Sequence, residues 1–233
     1  DTLGGVFEFL DEAKKVGIDA CFGLECRVSF AGTKFTEKKL NNPDQAGIAY
    51  MTFQDIPLEN VKMIDDFFAP LRKLRSDRNQ KICDKLNAEI EKFGIQIDYE
   101  TDVLPLSVYE KGGTVTERHI LFALSKALLK AKGNELLGFL ENDMGLKLND
   151  KLKGWISDFN NPYIEYDLLN VLKGVFNNKI YVAATDECPS IDQVSDLAKK
   201  SGATLAYAYL GDVKGSVTGD KPDAPFEDSF LEE

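Results

Sequence analysis

Apolar residues recur at helical spacing through most of residues 58–174. Examples are Val61, Ile64, Phe67, Phe68, Leu71 and Leu74, then Ile82, Leu86 and Ile90, and short runs of strand character lie on either side. This stretch is too long for one crossover helix of an α/β unit. It predicts a helical subdomain inserted into an α/β framework, continuing through 115–131, 134–143, 149–158 and 164–174. Gly133, Gly145 and Asn160-Asn161-Pro162 punctuate it. Pro70 is expected to kink or divide the first helix, because it has no N–H and its ring crowds the preceding turn.

The flanks supply the framework. Residues 4–16 place Val6, Phe9, Leu10 and Ala13 on one helical face, and Gly17 ends the helix. Ile18 to Val28 then reads as a strand with one acid, Glu25, among apolar residues. A polar stretch from Gly32 to Gln45 leads to a second apolar run, Gly47 to Phe53. On the far side, Lys179 to Ala184 reads as a short strand. Ser190 with Gln193 forms an S-x-x-Q capping pattern for a helix to about Ser201, and Ala203 to Leu210 reads as the next strand. Strand, helix and strand in about 30 residues predict a right-handed parallel βαβ unit. Gly211 to Glu233 reads as a loop leading into a helix near Pro225. The division expected is 1–56 and 178–233 for the framework and 57–177 for the helical insertion.

Charge and residue counts limit the chemistry. With 28 Lys+Arg against 39 Asp+Glu the net charge is −11, which disfavours nucleic-acid polymers and anionic membrane surfaces as partners. No apolar run reaches the roughly 20 residues of a spanning helix, and residues 1–5 lack the features of a signal peptide, so a soluble cytoplasmic protein is expected. Cys21, Cys26, Cys83 and Cys188 form no C-x-x-C and read as ordinary buried thiols. His119 is the chain's one histidine, so no site that needs two imidazoles can be completed within it.

Several positions are candidates for function. Glu25, a carboxylate within an apolar strand, needs a partner: a metal ion, Arg27 or a more distant lysine. Gly112-Gly113-Thr114-Val115-Thr116-Glu117-Arg118-His119 places two glycines before a helix, with Thr114 and Glu117 at capping-box spacing. Free amides there, with Arg118 and His119, suit a phosphate, and an ordinary capped helix fits the same residues. Asp186-Glu187 and Gly211-Asp212 follow predicted strands, where α/β folds place ligands, and with Glu25 they also permit a carboxylate-only Mg²⁺ site. Gly215 to Lys221 lacks the spacing of a P-loop.

Asp1-Thr2-Leu3-Gly4-Gly5, the amphipathic helix, and Gly23-Leu24-Glu25-Cys26-Arg27-Val28 together resemble successive blocks of the PHP (polymerase and histidinol phosphatase) family of metal-dependent phosphoesterases. The helical insertion, the Thr116-Glu117-Arg118-His119 segment and Gly202-Ala203-Thr204-Leu205-Ala206-Tyr207 extend the resemblance over nearly the whole chain. It implies an α/β fold, part of a distorted seven-stranded β/α barrel with an inserted helical subdomain. It also implies a small phosphomonoester, such as a nucleotide, as substrate and divalent Mn, Fe, Zn or Mg ions as cofactors. Glu25 becomes a metal ligand, and Arg118 with His119 the phosphate contacts. The family's early His-x-His and late Asp-x-His blocks would fall outside residues 1–233, leaving this portion without turnover by itself. Tyr207 and Ala49 stand where the family carries ligand histidines. They point to fewer metals than in its relatives, or to a degenerate binding or regulatory module.

Overall fold

A computed structural model describes residues 2–42 and 44–209. Its described residues are predominantly helical, with one small antiparallel sheet. In chain order the principal elements are α1 (Val6–Lys15), β1 (Leu24–Ser29), β2 (Ile48–Gln54), α2 (Val61–Ile90), α3 (Glu117–Lys132) and α4 (Leu136–Gly138), followed by α5 (Asp150–Ser157), α6 (Ile164–Ile180), α7 (Ile191–Ser201) and β3 (Thr204–Tyr207). The sheet order is β1-β2-β3, and both pairings are antiparallel.

This architecture corrects the expected seven-stranded β/α barrel. Three strands in an open antiparallel sheet cannot close a barrel. The predicted strand at 179–184 does not form: α6 runs on to Ile180, and residues 181–185 have no regular structure. The reason lies in packing, because Phe176 and Ile180 are buried in the helical core with Leu168 and Leu172, and this carries the helical period into the start of the expected strand, through Ile180. Without that strand the parallel βαβ unit is lost. A single parallel bridge joins Ser29 to Ser190, and it involves neither strand of that expected unit. The S-x-x-Q box at Ser190 and Gln193 does form and starts α7. α2 is one helix through Pro70.

The chain divides into two compact units. One comprises the described residues of Asp1–Arg75 and Ala183–Glu233; the other is Ser76–Val182. The change falls inside α2, because the first half of that helix packs Val61, Ile64 and Phe68 into the core of the sheet unit. That core also holds Leu24, Cys26, Val28, Ala49, Met51 and Phe53 from the strands, and Val194, Leu197 and Ala198 from α7. The helical unit has its own core, in which Ile82, Leu86 and Ile90 meet Ile120, Leu124 and Leu128 of α3 and Leu168 and Leu172 of α6. No helix among the described residues is long and apolar enough to cross a membrane.

Two glycines set the geometry of the sheet. Gly23 comes so close to β2 that a Cβ would lie 2.1 Å from the Phe53 carbonyl oxygen, which explains a glycine directly before Leu24-Glu25. Gly47 has φ +68°, and a Cβ there would lie 2.4 Å from the Thr36 carbonyl oxygen. Its N–H donates to the Lys38 carbonyl, and its own carbonyl accepts from Phe30 N–H, both at 2.8 Å. Gly47→Ala is expected to cost about 2–4 kcal/mol, because the strained φ and the backbone collision add. Urea denaturation checks this, and a change under about 1 kcal/mol would show that the 30–47 connection yields.

Candidate functional site

The strand register gives the sheet two different faces. Leu24, Cys26 and Val28 pair with Phe53, Met51 and Ala49, and these side chains enter the core. Glu25, Arg27 and Ser29 pair with Thr52, Tyr50 and Ile48 and occupy the opposite face, which Gln54, Ala206 and Thr204 extend. Glu25 is therefore exposed rather than embedded. The apolar neighbours that made it look buried in sequence belong to the other face, as the two-residue period of a strand requires.

The same parity changes the meaning of Ala49 and Tyr207. Ala49 is fully buried beside Val28, and Tyr207 pairs with Met51 and packs against the core. A histidine at either position would sit on the face away from Glu25.

Chain from 183 to 190 bounds one end of the polar face. Ala184 and Cys188 pack on Ile48. The Gln45 amide grips Ala184, donating to its carbonyl at 2.8 Å and accepting from its N–H at 3.0 Å. Ser29 N–H donates to the Pro189 carbonyl at 2.8 Å. These bonds bring Glu187 to Arg27, whose Nη1 donates to Oε1 at 3.1 Å; both side chains are largely buried, at 15% and 5% exposure. The guanidinium also lies 5.7 Å from the ring centroid of Tyr50. Asp186, its neighbour in sequence, faces solvent.

Burial acts strongly on the thiol behind this face. Cys26 is pushed up to about 12, first by burial, then by the charge of Glu25 and the thiol of Cys188. Cys83, in the helical unit, is also pushed up to about 12, by burial and then by Asp84, Asp98 and Asp102. Cys21 differs from the other three cysteines in being exposed, so the expectation of four buried thiols holds for three of them.

Arg118 and His119 lie in the helical unit, whereas Glu25 lies in the sheet unit. Arg118 is exposed. The cap of α3 falls two residues later than the sequence suggested: Thr116 is the N-cap, and His119 is the third helical residue, its Nδ1 accepting from Thr116 N–H at 3.0 Å. Glu117 accepts from the buried Arg78 at 3.0 Å, and Arg78 also donates to the Val182 carbonyl. The expected anion contact His119 thus has a structural role at its Nδ1. Asp212 and the 215–221 segment lie outside the described residues.

The Arg27–Glu187 pair, Tyr50 and Thr52 were not assembled from sequence. The signal for half of it was present, since Glu25-x-Arg27 shares a face in any strand. The pairing of Arg27 with Glu187, 160 residues away, had none.

The chain matches no family profile, no curated protein and no solved structure. The resemblance to the PHP family rests on the sequence blocks quoted above.

Proposed function

We propose that the chain carries part of a PHP-type, metal-dependent phosphomonoesterase that acts in the cytoplasm on a small phosphorylated molecule, with Glu25 as ligand to a divalent Mn, Fe, Zn or Mg ion. The observation that carries this reading is the position of Glu25: an exposed carboxylate on the polar face of the sheet, two residues from Arg27, rather than a core residue needing burial compensation. Such an ion supplies activated hydroxide and charge stabilisation when bound. Glu25 suits one position of its shell as a hard oxygen donor. Among the described residues no group of three or more His, Cys, Asp or Glu surrounds a common point, so Glu25 would be one ligand of a shell completed by other groups. The roles of Arg118 and His119 as phosphate contacts are supported by the resemblance alone.

A second reading, a PHP-like binding or regulatory module without turnover, is favoured by one observation. The single imidazole of the chain is engaged at Nδ1 in the cap of α3.

Elemental analysis of the natural gene product, purified without chelators, separates the two. The first reading expects about two equivalents of Mn, Fe or Zn, with metal lost in Glu25→Gln and hydrolysis of p-nitrophenyl phosphate reduced on the order of 100-fold. No bound metal, and none taken up on incubation, overturns it and leaves the binding module.

A further inference from the structure

We infer that Arg27 is the residue that contacts the phosphoryl group of the substrate, and that Glu187 is its positioning residue. The inference rests on the phosphomonoesterase reading and adds to it the group that recognises the anion.

Four observations carry it. First, Arg27 shares the polar face with Glu25 and stands two residues along the same strand, about 7 Å between Cα atoms. Among the strand positions of that face, Glu25, Arg27, Ser29, Ile48, Tyr50, Thr52, Gln54, Thr204 and Ala206, it is the one cation. Second, its orientation is set before any ligand arrives, by the 3.1 Å bond to Glu187 and by the Tyr50 ring. An oxyanion contact held this way loses little conformational freedom on binding. Third, the pair is largely buried, and a buried ion pair is weak evidence of a role in stability. Removing both charges from water is expensive, and an apolar pair of similar volume generally serves a core at least as well. Fourth, Glu187 comes from a segment held independently of the pair, by the Gln45 amide on Ala184 and by the Ser29 bond to Pro189. Glu187 is thus delivered to Arg27 by the fold.

A guanidinium suits this task better than an ammonium, since its planar fork presents paired N–H donors to two oxygens of one phosphoryl group. The face also sorts charge. Glu25 and Glu187 flank the single arginine and leave the three groups with a net negative charge, so the face favours a cation toward Glu25, and that cation would offset the carboxylates beside an anion at Arg27.

The test uses the natural gene product as purified, with metal content by elemental analysis, affinity for inorganic phosphate by calorimetric titration, and thermal midpoint. Arg27→Lys keeps the charge and loses the fork. The double variant Arg27→Met with Glu187→Leu removes the pair as an apolar unit, so that folding is preserved. Both are expected to weaken phosphate binding about 10–100-fold while metal content stays at the parent value. Glu187→Gln is expected to weaken it less, with Arg27 still present but less firmly held. Phosphate affinity within about twofold of the parent in both Arg27 variants, with thermal midpoints unchanged, overturns the inference and leaves a structural ion pair. So does a loss confined to Arg118→Ala, which would move the contact to α3. A parent protein that binds neither metal nor phosphate sinks the underlying phosphomonoesterase reading. That outcome is distinct from metal retained with Arg27 indifferent.

Discussion

Raising the pH from about 9 to about 11 under reducing conditions is expected to lower the unfolding free energy by about 2 kcal/mol for each of Cys26 and Cys83. The sign follows from the protons. Each folded thiol is held up to about 12 against an ordinary value of 9.0, by burial first and neighbouring acids second. Above pH 9 the unfolded chain has released these protons and the folded chain has not, so stability falls as pH rises and the loss is complete only near pH 12. The buried phenol of Tyr99 is shifted in the same direction by burial, although the Ser76 hydroxyl at 2.9 Å pulls the other way. Urea denaturation at the two pH values measures the total. The double variant Cys26→Ala, Cys83→Ala isolates the thiols and is expected to lose less than half as much. An equal loss in the variant would assign the alkaline sensitivity to other groups. Because Cys26 lies in the sheet unit and Cys83 in the helical unit, probes local to either unit should report the decline.

Asn41→Ala is expected to destabilise the sheet unit by about 3–4 kcal/mol. Asn41 is 3% exposed and replaces a missing stretch of strand. Its Oδ1 accepts from Tyr50 N–H at 2.7 Å, and its Nδ2 donates to the carbonyls of Tyr50 at 2.7 Å and Ala208 at 2.9 Å. β3 ends at Tyr207, so the backbone of Tyr50 has no strand partner on that side, and the amide fills the place. Truncation leaves three backbone groups to be satisfied by something else. A loss below about 1 kcal/mol in chemical denaturation would mean that water takes over those bonds. Because Tyr50 lies under the Arg27 guanidinium, the same substitution should also loosen the polar face.

Much of the helical structure was legible from local chemistry. The apolar spacing of α1, α3 and α7, the Ser190–Gln193 box and the Gly202 stop are short-range signals, decided within a turn or two of the chain. The cap of α3 was displaced by two residues because Thr114 and Thr116 offer the same hydroxyl, and His119 rather than Glu117 stands three positions beyond the one used. Ile180-Tyr181-Val182 suits a strand in isolation, whereas the helical core buries Phe176 and Ile180 one turn apart and takes Ile180 into α6.

The sheet shows the division most clearly. Residue types alone placed strands within 18–28, 47–53 and 203–210, where the structure forms 24–29, 48–54 and 204–207, and alternation along any strand puts Glu25 and Arg27 on one face. They also determined that one histidine and a net charge of −11 bound the chemistry. Only the tertiary structure decided that the strands pair antiparallel, that the face bearing Glu25 is the exposed one, that Ala49 and Tyr207 turn toward the core, and that Glu187 meets Arg27. The physical reason is separation along the chain. A strand's alternation is written in its own residues, but its register and partners are set by burial and hydrogen bonds that close only when segments up to 167 residues apart are brought together.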